Sequence, residues 1–84
     1  LFLRAEHVYT HFYLAGGRQL LQRGSLAATL ARLPAETFLR VHRGYAINLR
    51  AVSGWSREAV HLGQHRIPIS RSRRAEVLRR LEGN

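Results

Sequence analysis

The sequence predicts a mainly β domain built from many short strands, with two short helices at its margins. Three observations favour this fold class. Short apolar stretches are separated by glycine-containing turns such as Ala15-Gly16-Gly17 and Leu62-Gly63-Gln64. Leucine and valine recur at helical spacing in only two places, residues 26–33 and 77–81. The 84 residues contain no internal repeat, low-complexity tract or linker, so we expect one domain over residues 1–84.

The amino-terminal part predicts three strands. Leu1–Arg4 has the composition of a short buried strand, and Tyr9–Leu14 that of a second strand rich in aromatic and β-branched residues. Ala15-Gly16-Gly17 is a hairpin turn signal, so Gln19–Gln22 is the expected returning strand. The polar turn Glu6-His7-Val8, just before the second strand, is a candidate contact loop.

A short helix is predicted next. Ser25 is placed to cap it, because its hydroxyl can accept a hydrogen bond from a free backbone N–H. Leu26, Leu30 and Leu33 then fall on one helical face. Pro34 is expected to end the helix, since the residue before a proline avoids the α region.

Four short extended segments are predicted in the middle of the chain. Phe38–Val41 and Tyr45–Leu49 flank a corner at Arg43-Gly44, and Ala51–Trp55 is expected to pair with Ala59–Leu62.

The carboxyl-terminal part predicts one more strand and a helix. Arg66–Ile69 is the last strand, and Pro68 favours an edge position because proline cannot donate to a ladder. Ser70 or Ser72 is expected to cap the final helix, and Gly83 to close it. The helical residues that can face a core are Val77, Leu78 and Leu81.

The charge of the chain indicates a polyanionic partner. The formal net charge is +9, and all 14 basic side chains are arginine against five glutamates. A field of this size attracts nucleic acid and speeds its encounter. A membrane partner is disfavoured, because no helix sets bulky apolar residues opposite a basic face and no apolar run approaches the roughly 20 residues that span a bilayer.

Catalysis and metal binding are not expected. The chain has no aspartate or cysteine, and its five glutamates are scattered. His7 and His11 would stand about 13 Å apart on a strand, too far to hold one ion. His61 and His65 flank a turn without acidic or thiol partners, which makes a poor site. We therefore expect no enzyme, no cofactor, no metal and no small-molecule substrate.

Three arginines lie at the start of the last predicted helix. Arg71, Arg73 and Arg74 face the positive end of the helix macrodipole, where each cation is disfavoured by about 0.3–1 kcal/mol at low salt. An external anion such as phosphate would compensate this cost. The alternative is that the long side chains extend into solvent and feel little of the dipole.

His42 and Arg43 stand at the glycine-assisted corner. A guanidinium can bond guanine O6 and N7 as a fork, which favours DNA contact for Arg43. His42 could bind phosphate or a base, or it could pack inside with its nitrogens satisfied by backbone. Arg40 could simply belong to a solvated or ion-paired face.

The aromatic side chains admit two interpretations. Tyr9, Phe12, Tyr13 and Trp55 could stack on unpaired bases, but aromatics in the strands of a small β domain are more often core. We assign Phe12 and Trp55 to packing.

Together these segments resemble the LytTR family of bacterial DNA-binding domains. The passage Phe38–Asn48 is similar to the family's signature and is quite specific. The other similar passages are the opening strands, Leu1–Leu14; the segment that leads into the short helix, Leu21–Leu33; and the closing motif, Ile67–Arg71.

The resemblance implies an elongated module of short antiparallel sheets whose loops enter successive grooves of duplex DNA. Family members bind promoter repeats as dimers, often as the output half of a two-component response regulator. Carried over by position, the contact candidates are His7, Tyr9 and Thr10, then His42 and Arg43, and then Arg71.

The sequence departs from the family pattern in three places. Gly44 stands where a serine is usual, and His7-Val8 where glycine and asparagine are common. A further N-terminal strand region usually precedes the position of Leu1. Because the chain also lacks methionine, we expect it to be a fragment of a longer regulator that lacks the most N-terminal strand.

The leading functional hypothesis is sequence-specific duplex DNA binding for transcriptional regulation in the cytoplasm. Arg43 and Arg71 would contact base edges, while His42, Arg73 and Arg74 would hold phosphates or help to position the corners. The alternative is a basic interaction module that docks an acidic partner or receiver domain, and single-stranded RNA binding ranks third.

Overall fold

Two antiparallel sheets and two helices make up the fold in a computed structural model that describes residues 1–83. The first sheet has five strands in the order β3-β2-β1-β5-β4, and the second has three in the order β6-β7-β8. The strands are β1 Phe2–Glu6, β2 Tyr9–Tyr13, β3 Gln19–Arg23, β4 Phe38–His42, β5 Tyr45–Asn48, β6 Gly54–Trp55, β7 Ala59–Leu62 and β8 His65–Pro68, and the helices are α1 Leu26–Leu30 and α2 Arg74–Glu82. This mainly β architecture confirms the predicted fold class.

The five-stranded sheet has apolar residues on both faces, because side chains alternate along each strand. On one face Phe2 and Ile47 join the main core, which the second sheet and α2 complete. On the other face Leu3 and Ala46 pack against Leu26 of α1. The sheet is therefore the middle layer of the domain, which explains why β1 and β5 carry consecutive apolar residues.

The first helix confirms the predicted cap but is shorter than expected. The Ser25 hydroxyl accepts from the Ala28 N–H at 3.0 Å. Regular helix ends at Leu30, four residues before Pro34, and a looser turn in which the Leu33 N–H donates to the Leu30 carbonyl (3.1 Å) follows. Leu33 still packs against the smaller core cluster.

The second helix has no serine cap. A 3-10 turn over Arg71–Arg73 precedes it, and neither Ser70 nor Ser72 caps its first turn. The two hydroxyls lie 3.5 Å from each other instead. Gly83 ends the helix in a right-handed conformation, so its capping does not depend on the positive φ that glycine permits.

Two further segments differ from the prediction. Leu49–Ala51 is a 3-10 turn, so only Gly54–Trp55 of the predicted Ala51–Trp55 strand pairs as a strand. Trp55, assigned to packing, is 44% exposed. Pro68 does lie on an edge strand, β8, as predicted.

The molecule is flattened and only modestly elongated. Its principal extents are 31 × 27 × 20 Å. The radius of gyration is 11.9 Å, close to the value of about 12 Å expected for a compact domain of this length. The loops at one end of the larger sheet are consequently close to one another.

Candidate nucleic-acid interface

Three loops meet at one end of the five-stranded sheet. The Ala5 N–H donates to the Gly44 carbonyl (2.8 Å), which places the β1–β2 turn beside the β4–β5 corner. The Ser70 N–H donates to the Val41 carbonyl (2.8 Å), which places the Arg71–Arg73 turn beside the other side of that corner. We call this end of the sheet the loop end.

The side chains of Arg40 and His42 hold the β4–β5 corner by hydrogen bonds to its own backbone. Arg40 donates from Nε to the His42 carbonyl (3.2 Å) and from its terminal nitrogen to the Arg43 carbonyl. The Gly44 N–H donates to His42 Nδ1 (3.0 Å), so the neutral imidazole carries its proton on Nε2. With these groups fixed, the Arg43 side chain is left exposed to solvent.

His42 therefore combines the two roles that the sequence left open. Its Nδ1 is engaged by backbone, and its ring lies edge-on to Tyr45 with centroids 5.7 Å apart. Its half-buried ring makes no hydrogen bond through Nε2, and no polar side-chain atom in residues 1–83 is both buried and unpartnered. Nε2–H thus remains open to solvent as a donor.

The arginines of the loop end form a field of like charge. Burial lowers the pKa of Arg40, and the neighbouring guanidinium groups of Arg73 and Arg43 lower it further. The ion pairs in the described part of the chain are Arg4–Glu6, His11–Glu6 and Arg79–Glu76. No carboxylate of residues 1–83 therefore neutralises a loop-end arginine.

The three arginines before α2 have different surroundings. Arg71 is exposed at the start of the 3-10 turn, and Arg73 is half-buried near Arg40. Arg74 donates from Nε to the Arg57 carbonyl (2.6 Å), which ties α2 to the β6–β7 turn. Arg74 is therefore partly engaged within the protein, whereas Arg71 is free to reach a ligand.

The β1–β2 turn presents two exposed candidates. His7 occupies the first position of a two-residue hairpin loop with φ +56°, a conformation that glycine adopts at lower cost. The Tyr9 ring is 37% exposed on the adjoining strand. Both side chains are accessible at the loop end.

Thr10 requires a correction. Its side chain is fully buried, and its hydroxyl donates to the Gly24 carbonyl (3.0 Å) and lies 3.1 Å from the Thr29 hydroxyl. These contacts link β2 to Gly24, just before the Ser25 cap, and to Thr29 within α1. Thr10 thus stabilises the turn from inside and is removed from the candidate contact set.

Arg23 is a further candidate that the sequence did not single out. It pairs with Tyr9 across β2 and β3, and the next residue, Gly24, donates its N–H to the Val8 carbonyl (2.7 Å). The exposed Arg23 side chain therefore extends the loop end beyond the β1–β2 turn. Only the strand register places it there, so no local sequence signal could have identified it.

A polar cluster lies on β1 and β2 behind the turn. Arg4 bonds Glu6 (2.6 Å), and His11 lies 3.3 Å from the same carboxylate. Hydrogen bonds from Arg4 and then His11 lower the pKa of Glu6. The one acid of this turn is thus already paired, and it subtracts little from the field that the exposed arginines present.

Residues 1–83 offer neither a cluster of metal-binding side chains nor a helix that could span a membrane. No group of three histidine or glutamate side chains there could hold a metal ion. Neither helix of that region has the length or apolar character to cross a membrane. The arrangement suits recognition of an anionic ligand by arginine donors.

Comparison with known proteins agrees with this geometry. Residues 1–82 match the LytTr DNA-binding domain family. The structure is similar to the LytTr DNA-binding domain of a methyl-accepting/DNA response regulator from Bacillus cereus, with a TM-score of 0.78 and 23% sequence identity. That match covers 100% of this chain and 81% of the other. No curated protein matches the sequence significantly.

Proposed function

The chain belongs to the LytTR family of DNA-binding domains, and from this premise we propose that it binds duplex DNA sequence-specifically through its loop end to regulate transcription. The observation that carries the proposal is the pair of exposed arginines, Arg43 and Arg71, which lie on adjacent loops and pair with no carboxylate of residues 1–83. A guanidinium free of internal ion pairs can bond guanine O6 and N7 as a fork.

The remaining candidates fit a role in positioning the duplex. His42 offers an Nε2–H donor, and Arg73, Arg23 and the free nitrogens of Arg74 are cationic groups on or near the same end. Such groups bind phosphate and set the register of the protein on DNA without reading sequence. We assign His7 and Tyr9 to the same role at the neighbouring loop.

We further propose that the domain is the output part of a two-component response regulator in the cytoplasm and binds promoter repeats as a homodimer. The similar Bacillus cereus domain is part of a protein described as a response regulator. A direct or inverted repeat recovered when duplexes are selected from a random library would support dimeric binding. Recovery of a single short site would contradict it.

The base-reading assignment is tested with the selected duplex and a scrambled one. Arg71→Ala is expected to lose about 1–3 kcal/mol of binding free energy on the selected duplex and to relax specificity at one base pair. Arg73→Ala is expected to weaken both duplexes alike and to reduce the salt slope by about one. Fluorescence anisotropy at several salt concentrations measures both effects.

Arg18→Ala is the matched control. Arg18 is also exposed, but it follows the turn at the opposite end of β2, away from the loop end. It should change binding much less than Arg71→Ala. If Arg71→Ala bound both duplexes with wild-type affinity, Arg71 would not be a base contact.

A further inference from the structure

Arg40 makes contacts that differ from those of every other candidate arginine. It lies on β4 where the pairing with β5 shifts register between Arg40 and His42. Two of its nitrogens donate to two carbonyls of the corner, those of His42 and Arg43. The planar guanidinium is suited to this task, because its donors have a fixed fork geometry.

The charges around Arg40 make this position costly for a cation. The Arg40 side chain is half-buried, and no carboxylate of residues 1–83 forms an ion pair with it. Burial lowers its pKa, and the guanidinium groups of Arg73 and Arg43 lie close enough to lower that pKa further. The bond to the Arg43 carbonyl is exposed and the bond to the His42 carbonyl is only partly buried, so water could have satisfied at least the first of them. An arginine at this position is therefore explained neither by an ion pair nor by a need to supply hydrogen bonds to buried carbonyls. It is explained if its two hydrogen bonds fix the backbone geometry of the corner.

We propose that Arg40 is a positioning residue that fixes the direction in which Arg43 leaves the corner, and thereby sets sequence discrimination without contacting DNA. The proposal deepens the proposed function and rests on it. Because the two carbonyls held by Arg40 lie on either side of the Arg43 Cα, their orientation sets the direction of the Cα–Cβ bond along which the Arg43 side chain leaves the corner. His42 completes the brace by accepting the Gly44 N–H.

The test compares Arg40→Gln and Arg40→Lys with Arg43→Ala. Neither glutamine nor lysine can bond both carbonyls as the guanidinium does, although lysine keeps the charge. Both Arg40 variants are therefore expected to lower the ratio of specific to scrambled affinity by about tenfold, within the range of one bidentate base contact. In Arg40→Lys, which keeps the positive charge, the salt slope and the affinity for scrambled duplex should stay at wild-type values, since neither a charge nor a phosphate contact is removed. Arg40→Gln combined with Arg43→Ala should discriminate no worse than Arg43→Ala alone.

A second readout does not depend on DNA. Amide hydrogen exchange of Gly44 in the free protein should accelerate in both Arg40 variants and stay unchanged in Arg43→Ala, because only the former loosen the corner. Circular dichroism confirms folding, and the lysine variant serves if the glutamine variant unfolds.

The outcomes separate the two proposals. An equal loss on the selected and the scrambled duplex in Arg40→Lys would make Arg40 a direct phosphate contact and overturn the positioning role. Unchanged Gly44 exchange would overturn it as well. Failure of the wild-type domain to bind any duplex would instead overturn the proposed function, whatever the exchange data show.

Discussion

Gly44 occupies a backbone conformation that any residue can adopt. Its φ lies outside the left-handed region, and an added Cβ would stand 3.6 Å from His42 Nδ1, an ordinary van der Waals contact. Gly63 differs, because its φ is +62° although nothing lies within 4 Å of an added Cβ. One glycine is thus replaceable on geometric grounds and the other is not.

We expect Gly44→Ala to raise the free energy of unfolding by about 0.4–1 kcal/mol, because alanine restricts the unfolded chain without straining the native corner. Gly63→Ala should lower it by about 1 kcal/mol, since a side chain is disfavoured at positive φ. Urea unfolding measures both variants. A destabilised Gly44→Ala would mean that the corner needs the freedom of glycine.

The charged corners could be identified from the sequence, whereas the burial of individual side chains could not. The arginine-bearing corners were identified because charge and glycine are local signals. Thr10 was placed at the surface and is buried, while Trp55 was placed in the core and is 44% exposed. Both errors have one cause: burial depends on which element covers a strand, and that element is distant in sequence.

At the scale of elements, the stability of the short helix α1 comes from its amino-terminal cap and from its packing. It has five residues, too few to be stable alone, and its first turn receives a hydrogen bond from Ser25. Leu26 anchors it against Leu3 and Ala46. The Thr29 hydroxyl, which bonds the Ser25 carbonyl at 2.9 Å, adds a second link to the same turn.

We expect Ser25→Ala to lower the free energy of unfolding by about 1 kcal/mol through loss of the cap. Ser25→Asp is the control, because aspartate caps equally well and its charge favours a helix amino terminus. Thermal unfolding distinguishes them, with the aspartate variant at or above the wild-type midpoint. Equal midpoints for the alanine variant and wild type would show that packing alone holds α1.

Element boundaries were the least predictable feature of the sequence. Strands and turns with glycine signals, such as the β7–β8 hairpin, were placed within a residue or so. The 3-10 turns at Leu49–Ala51 and Arg71–Arg73 were missed, because no composition signal separates a 3-10 turn from a strand end or a helix start. The Ser70 cap failed for this reason: the helix proper begins at Arg74, four residues after Ser70.

At the scale of the whole molecule, charge affects folding and binding in opposite ways. A net charge of +9 on an 84-residue chain opposes the compact state through self-repulsion. The same charge attracts DNA and makes binding depend on counterion release. Added salt should therefore favour the folded state while weakening the complex.

We expect the unfolding midpoint to rise when monovalent salt increases from about 50 to about 200 mM, while affinity for duplex DNA falls by about fortyfold if about three phosphates are contacted. Thermal unfolding of the free protein and anisotropy of the complex provide the two measurements. A midpoint that falls with salt would indicate that attractive pairs such as Arg4–Glu6 outweigh the repulsion.

The order of strands was beyond reach of a single sequence. Hairpin partners follow from short turns, so β1–β2, β2–β3, β4–β5 and β7–β8 were accessible. The pairing of β1 with β5 joins residues more than forty positions apart, such as Phe2 and Ile47. That pairing brings the β1–β2 turn beside the Arg43 corner, so the adjacency of the candidate loops became visible only in the structure.

Strand β3 leaves one side of its backbone open at the margin of the sheet, with Leu20 and Leu21 each about half exposed. An uncharged run of this kind is a template for cross-β stacking between copies. Arg18 and Arg23 lie at the two ends of this run. Stacking of chains would bring their like charges together, which opposes such stacking. We therefore expect the same arginine-rich composition that favours nucleic-acid binding to oppose stacking of β3 between copies of the domain.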